Sequence, residues 1–128
     1  MDKAQGFETT EYSQEEVVSE KISAIAQIAQ DYVREIPTCG CRVVQEGNLV
    51  KVIYTSFEPF LPERIRDAQD RADSYIKEMV KHLKKEFKSR QKETLDLKEL
   101  KDRSDYSVQK VSMNERYTYS AWKYFEVG

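Results

Sequence analysis

Residues 41–57 read CRVVQEGNLVKVIYTSF, and this stretch decides between an all-helical chain and a mixed one. Glu46-Gly47-Asn48 carries turn chemistry, because Gly and Asn tolerate positive φ. Val43 and Val44 lie before the turn. The run from Leu49 to Tyr54 after it is rich in β-branched residues, which suit a pleated strand. A β-hairpin follows. In its second strand Val50, Val52 and Tyr54 oppose Leu49, Ile53 and Phe57, so both faces are apolar and the strand is expected to be covered on both sides.

The flanks of the hairpin are helical. Ser13 and Glu16 make an S-x-x-E capping box, in which each side chain covers a free backbone N–H of the other residue. Glu15 and Glu16 also suit the positive end of a helix dipole. Val18, Ile22, Ile25, Ala29, Tyr32 and Ile36 then recur at steps of 4, 3, 4, 3 and 4, which is a helical stripe. Pro37 stops it, since proline disfavours helical geometry in the residue before it. Residues 1–12, MDKAQGFETTEY, are acidic and polar and read as an extended arm. On the other side of the hairpin, EPFLP at 58–62 is a stiff connector, and Pro62 fits the first turn of a helix. Ile65, Ala68, Ala72, Tyr75, Ile76, Met79, Leu83 and Phe87 form a second apolar stripe. It predicts a helix over 62–90, about 40 Å long at 1.5 Å per residue.

The last third reads as strands. Residues 106–113 and 116–127 alternate strongly, with a turn at 113–116. In the final strand Tyr117, Tyr119, Ala121, Phe125 and Val127 share one face; Thr118, Ser120, Trp122 and Tyr124 share the other. Residues 91–105 admit two readings. Leu95 and Leu97 alternate like a strand, whereas Asp96 with Glu99 could cap a short helix containing Leu100. The order is α-β-β-α-(β)-β-β, an α+β fold: an antiparallel sheet of four to five strands with two long amphipathic helices on one face. Residues 13–128 form a single domain behind the arm.

Composition agrees with a folded chain. Eight Tyr, five Phe and one Trp in 128 residues are too many aromatics for a disordered segment, although charged residues reach 34%. The net charge of −2 hides an uneven distribution. Residues 1–37 hold eight acids against three bases, and residues 61–92 hold ten bases against six acids. Such asymmetry marks docking surfaces. The acidic start lacks the features of a signal peptide, and no apolar run is long enough to span a membrane. A cytoplasmic protein, or one assembled in a particle, is the expectation, with no membrane partner.

Catalytic chemistry finds no foothold. No Gly-rich phosphate loop, nucleophile elbow, H-E-x-x-H or C-x-x-C occurs. Cys39-Gly40-Cys41 is a single cysteine pair and His82 is the only His, whereas zinc takes four ligands. A tight Gly turn flanked by small buried thiols explains the pair better. No enzyme, metal or cofactor is expected.

The candidate interaction residues are of three kinds. Lys77, Lys81, Lys84 and Lys88 are spaced 4, 3 and 4 apart and form one helical stripe, widened by Lys85 and Lys92. Glu8, Glu11, Glu15 and Glu16 charge the N-terminal region. Tyr117, Tyr119, Trp122 and Tyr124 form an aromatic edge on the last strand. Together they predict a non-enzymatic assembly subunit, a homo- or hetero-oligomer in which the acidic arm and Lys stripe set the register and the aromatics supply contact area. The alternative is a small nucleic-acid-binding module, with the stripe on phosphates and the sheet aromatics stacking on bases. Two features favour protein docking. The helix dipole already accounts for acids first and lysines last, and arginine, the residue for base contacts, is scarce in the stripe. By element order alone, the chain resembles small α+β proteins of phage heads, necks and tails. That resemblance implies a virion component and is carried by no particular residue.

Overall fold

The computed structural model describes residues 2–56, 58–111 and 115–128, with residues 2–15 as backbone only. Helix α1 spans Asp2–Glu35. Its anchor is Ile22, Ile25, Ile28 and Ala29, all buried, with Val18, Tyr32 and Val33 packing partly against them. Residues 2–12 are helical rather than an extended arm. They contain no proline and one Gly, and a helix already nucleated on a core gains one hydrogen bond for each further residue it orders. Ser13 therefore lies inside the helix and marks no start. Ile36 leaves the helical region before Pro37, at φ −127 and ψ 78, since proline disfavours helical geometry in its predecessor. It falls outside the helix and is exposed, so the apolar stripe ends one step sooner than its spacing suggests.

A 3-10 turn at Pro37–Cys39 and a left-handed Gly40 at φ 70 reverse the chain. Strand β1 (Cys41–Glu46) and strand β2 (Leu49–Thr55) follow. Glu46 pairs with Leu49, leaving Gly47 and Asn48 as the two-residue turn, with Gly47 at φ 63. Phe57 lies outside the described residues. A second 3-10 turn, Pro62–Arg64, leads into helix α2, Ile65–Gln91. Ala72, Ile76, Met79, Leu83 and Phe87 form its buried face. Lys92, in the left-handed conformation, ends it by donating its backbone N–H to the Lys88 carbonyl.

Residues 91–105 resolve into strand β3 (Leu97–Glu99) and a 3-10 turn (Lys101–Arg103). Leu95 and Leu97 are both buried, and packing two leucines under the sheet edge outweighs the short helix that Asp96 and Glu99 could cap. Strand β4 (Asp105–Lys110) and strand β5 (Tyr117–Val127) complete the fold. Of the expected turn at 113–116, the first two residues lie outside the described residues. Val111 N–H reaches the Arg116 carbonyl at 2.8 Å.

The chain is thus α+β, with five antiparallel strands. β5 is the pivot. β2 lies along one side of it, and β4 and β3 follow one another along the other. Both helices pack on one sheet face, where Val50, Val52 and Tyr54 of β2 join Tyr119, Ala121, Phe125 and Val127 of β5 in one core with the helix residues. The opposite face is not covered as the apolar pattern of β2 suggests. Leu49 and Lys51 are half-buried there and Thr55 is exposed. Ile53 is buried yet stands outside the core. Its direct neighbours across the strands are Arg42 and Trp122, large side chains that cover an isoleucine without a second layer.

Among the described residues no helix is long and apolar enough to cross a membrane. Cys39 and Cys41 are both buried and free, with the Cys39 thiol directed at the Cys41 carbonyl at 3.6 Å. Burial, then the neighbouring Cys39, pushes the Cys41 thiol up from 9.0 to about 12.

Candidate functional site

The stripe on α2 is laid out by helical geometry. At 100° per residue the core positions 72, 76, 79, 83 and 87 cluster on one side, and positions 77, 81, 84 and 88 fall well round from them. Lys77, Lys81, Lys84, Lys85 and Lys88 are all exposed. Among the described residues none of the five makes an ion pair, whereas Arg34, Lys51, Arg64, Arg90 and Lys123 each do. Arg90 shows the contrast. It sits nearer the core side and turns inward, bonding Asp31 of α1 at 3.0 Å and Glu86 at 3.4 Å. Hydrogen bonds from Gln27 and then Arg90 hold the Asp31 carboxyl below its ordinary value. Lys84, Lys85 and Lys88 also border a shallow groove of about 590 Å³ closed by Thr94, Leu95 and Asp96.

Glu8, Glu11 and Glu15 stand on the α1 backbone, ahead of Glu16, which is exposed. Val18 is the first α1 residue with a described side chain that packs toward the core.

The aromatic edge is not one surface. Tyr119 faces the helices, is buried, and stacks on Tyr106 at 5.7 Å between ring centroids. Tyr117 shares that face, half-buried, and its strand is bridged by Phe60. Trp122 and Tyr124 point to the open face, one strand away from Lys51. The Lys51 ammonium lies 5.1 Å from the Trp122 ring and 5.3 Å from the Tyr124 ring, and Arg103 covers Tyr124 at 4.7 Å. The Tyr124 hydroxyl donates to Glu46 at 3.1 Å, and Glu46 pairs with Lys51 at 3.6 Å. Strand alternation separates these aromatics, since neighbours in sequence point to opposite faces. The Lys stripe and Trp122 therefore lie on opposite sides of the sheet.

His82 is half-buried between the helices, stacked on Tyr32 at 4.0 Å and 24°. Among the described residues no group of three or more His, Cys, Asp or Glu is placed to hold a metal ion.

One feature escapes the sequence reading. A cavity of about 740 Å³ opens at the N-terminal end of α2. Its floor is Tyr54 and Tyr75, with ring centroids 5.4 Å apart. Its wall is the 59–61 connector with Ala68, and its polar groups include Arg64, Arg71 and Arg116. The signal was present as Arg64, Ala68, Arg71 and Tyr75, spaced 4, 3 and 4 along the chain. The small Ala68 makes room between two arginines and a tyrosine on one side of the helix. Gly40, outside the lining, lets the chain pass close to both rings. A Cβ there would stand 3.0 Å from Tyr54 Cε1 and 3.2 Å from Tyr75 Cδ2.

Compared with protein-family models, curated proteins and solved structures, the chain matches none.

Proposed function

We propose that this protein is a non-enzymatic assembly subunit whose α2 lysine face docks an acidic helix, that of a second copy. The observation that supports this reading is the row of five exposed lysines that pair with no described carboxylate. The matching surface is α1, which carries Asp2, Glu8, Glu11, Glu15 and Glu16 ahead of Val18 against a single base, Lys3. Because residues 2–12 are helical, the contact is helix on helix. Such a contact is more ordered than an arm laid across a surface, since fewer backbone rotations are lost on docking. Acid on one helix and base on another give a head-to-tail contact, which builds rings or filaments; a virion head, neck or tail is one setting for it.

The nucleic-acid reading loses support from the same geometry. It needs the stripe and the stacking aromatics on one surface, whereas Trp122 and Tyr124 stand on the opposite side of the sheet and Tyr119, on the helix side, is buried. Light scattering across protein concentration and salt tests the proposal. The expected result is a mass above the monomer that falls as salt shortens the screening length to about 3 Å near 1 M. Binding of a labelled oligonucleotide by the wild-type protein at low salt would favour the alternative.

A further inference from the structure

The cavity at the start of α2 lies apart from the lysine face and plays no part in the assembly reading. Its volume, about 740 Å³, falls within the range of small-molecule sites, and its lining sets apolar and aromatic side chains beside arginines and carboxylates. Three observations define what it would hold. Arg71 is exposed at the cavity and makes no ion pair with any described residue, whereas Arg64 is held by Asp67 at 3.2 Å. Tyr54 is 1% exposed and lines the cavity, yet no hydrogen bond ties its hydroxyl to another described residue. Leu61, also in the lining, is 39% exposed, so the wall offers apolar surface that the fold itself leaves uncovered.

We infer that this cavity binds a small organic anion, an aromatic or branched carboxylate of single charge, with its acid group on Arg71 and the Tyr54 hydroxyl and its apolar body against Phe60, Leu61 and Tyr75. Charge count sets the valence. Arg64 is held by Asp67, and Arg71, which makes no ion pair with a described residue, offers one guanidinium to one negative charge. A guanidinium suits a carboxylate because its planar donors match the two oxygens. The Tyr54 hydroxyl, bonded to no described residue, is a donor that a ligand carboxylate can accept from. The two tyrosine rings give the apolar body a flat surface with little conformational entropy to lose.

The test is an NMR titration of the full chain with four probes: phenylacetate, phenyl phosphate, acetate and benzyl alcohol. The expected result is saturable shifts with phenylacetate at the amides of Leu61, Arg64, Arg71 and Tyr75. Acetate, which lacks the ring, and benzyl alcohol, which lacks the charge, should each bind at least about tenfold more weakly. Phenyl phosphate separates the two anion sources: binding weaker than phenylacetate supports the single-charge assignment, and tighter binding overturns it. Arg71→Ala, at an exposed position, should weaken phenylacetate about tenfold, and Tyr54→Phe several-fold. No saturable shift, equal binding of benzyl alcohol, or an unchanged Arg71→Ala would overturn the inference.

Discussion

Gly40 lies against the ring of Tyr54, so closely that a Cβ would stand 3.0 Å from Cε1. Its φ of +70 is already in the left-handed region. The Cys-Gly-Cys sequence is thus a packing device: the glycine lets the chain turn under a buried tyrosine, and the cysteines fill the space beside it. Gly40→Ala combines backbone strain with a tight contact against a ring that is 1% exposed and must give by a few tenths of an ångström. It should cost about 2–4 kcal/mol in urea unfolding. Gly47 is the control. Its φ is +63 and nothing lies within 4 Å of its Cβ position, so Gly47→Ala should cost only the strain, about 1 kcal/mol. Equal costs for the two would remove the Tyr54 contact from the account.

Stability should fall in alkali, and Cys41 sets the onset. Its thiol is raised from 9.0 to about 12, so the folded state holds its proton where the unfolded chain releases it. The contribution is fully present below pH 9 and is lost as pH rises from 9 toward 12. Burial raises Tyr32, Tyr54 and Tyr119 as well, which extends the decline above their ordinary value of 10.0. Urea unfolding of Cys41→Ala should show a shallower fall between about pH 9 and pH 10 than the wild type. An identical slope would show that the thiol does not titrate with folding.

The open sheet face is held by a polar network with Tyr124 at its centre. Tyr124→Phe keeps the ring under Lys51 and Arg103 but removes the hydroxyl that donates to Glu46. The expected cost is about 1 kcal/mol in thermal or urea unfolding. A loss above about 3 kcal/mol would mean that the ring position, rather than the bond, depends on the hydroxyl.

Much of this architecture was legible in residue spacing. Both helices, the hairpin and the long last strand followed from periods of 3.6 and 2, because burial of one face is what those periods record. What escaped depended on contacts distant in sequence. Whether residues 2–12 continue α1 depends on a nucleus further along, at Ile22–Ala29. The single layer over β2 depends on Trp122 and Arg42 standing beside Ile53, information held in strand register. The aromatic edge divides because position along a strand alternates faces, a distinction the sequence carries in the odd spacing of Tyr119 and Trp122. The cavity needed three segments brought together, the 59–61 connector, Tyr54 of β2 and α2, and no one of them announces it.

The docking of α1 on the lysine face is tested most directly by sedimentation equilibrium of a charge-swap series. The account predicts that the wild type associates. K77E/K81E/K84E/K88E should weaken association at least about a hundredfold, as should E8K/E11K/E15K/E16K. The chain carrying both sets should associate again, because the charges then complement one another with signs exchanged. A wild-type protein that sediments as a monomer at every concentration and salt, or a double set that stays monomeric while the wild type associates, would contradict it.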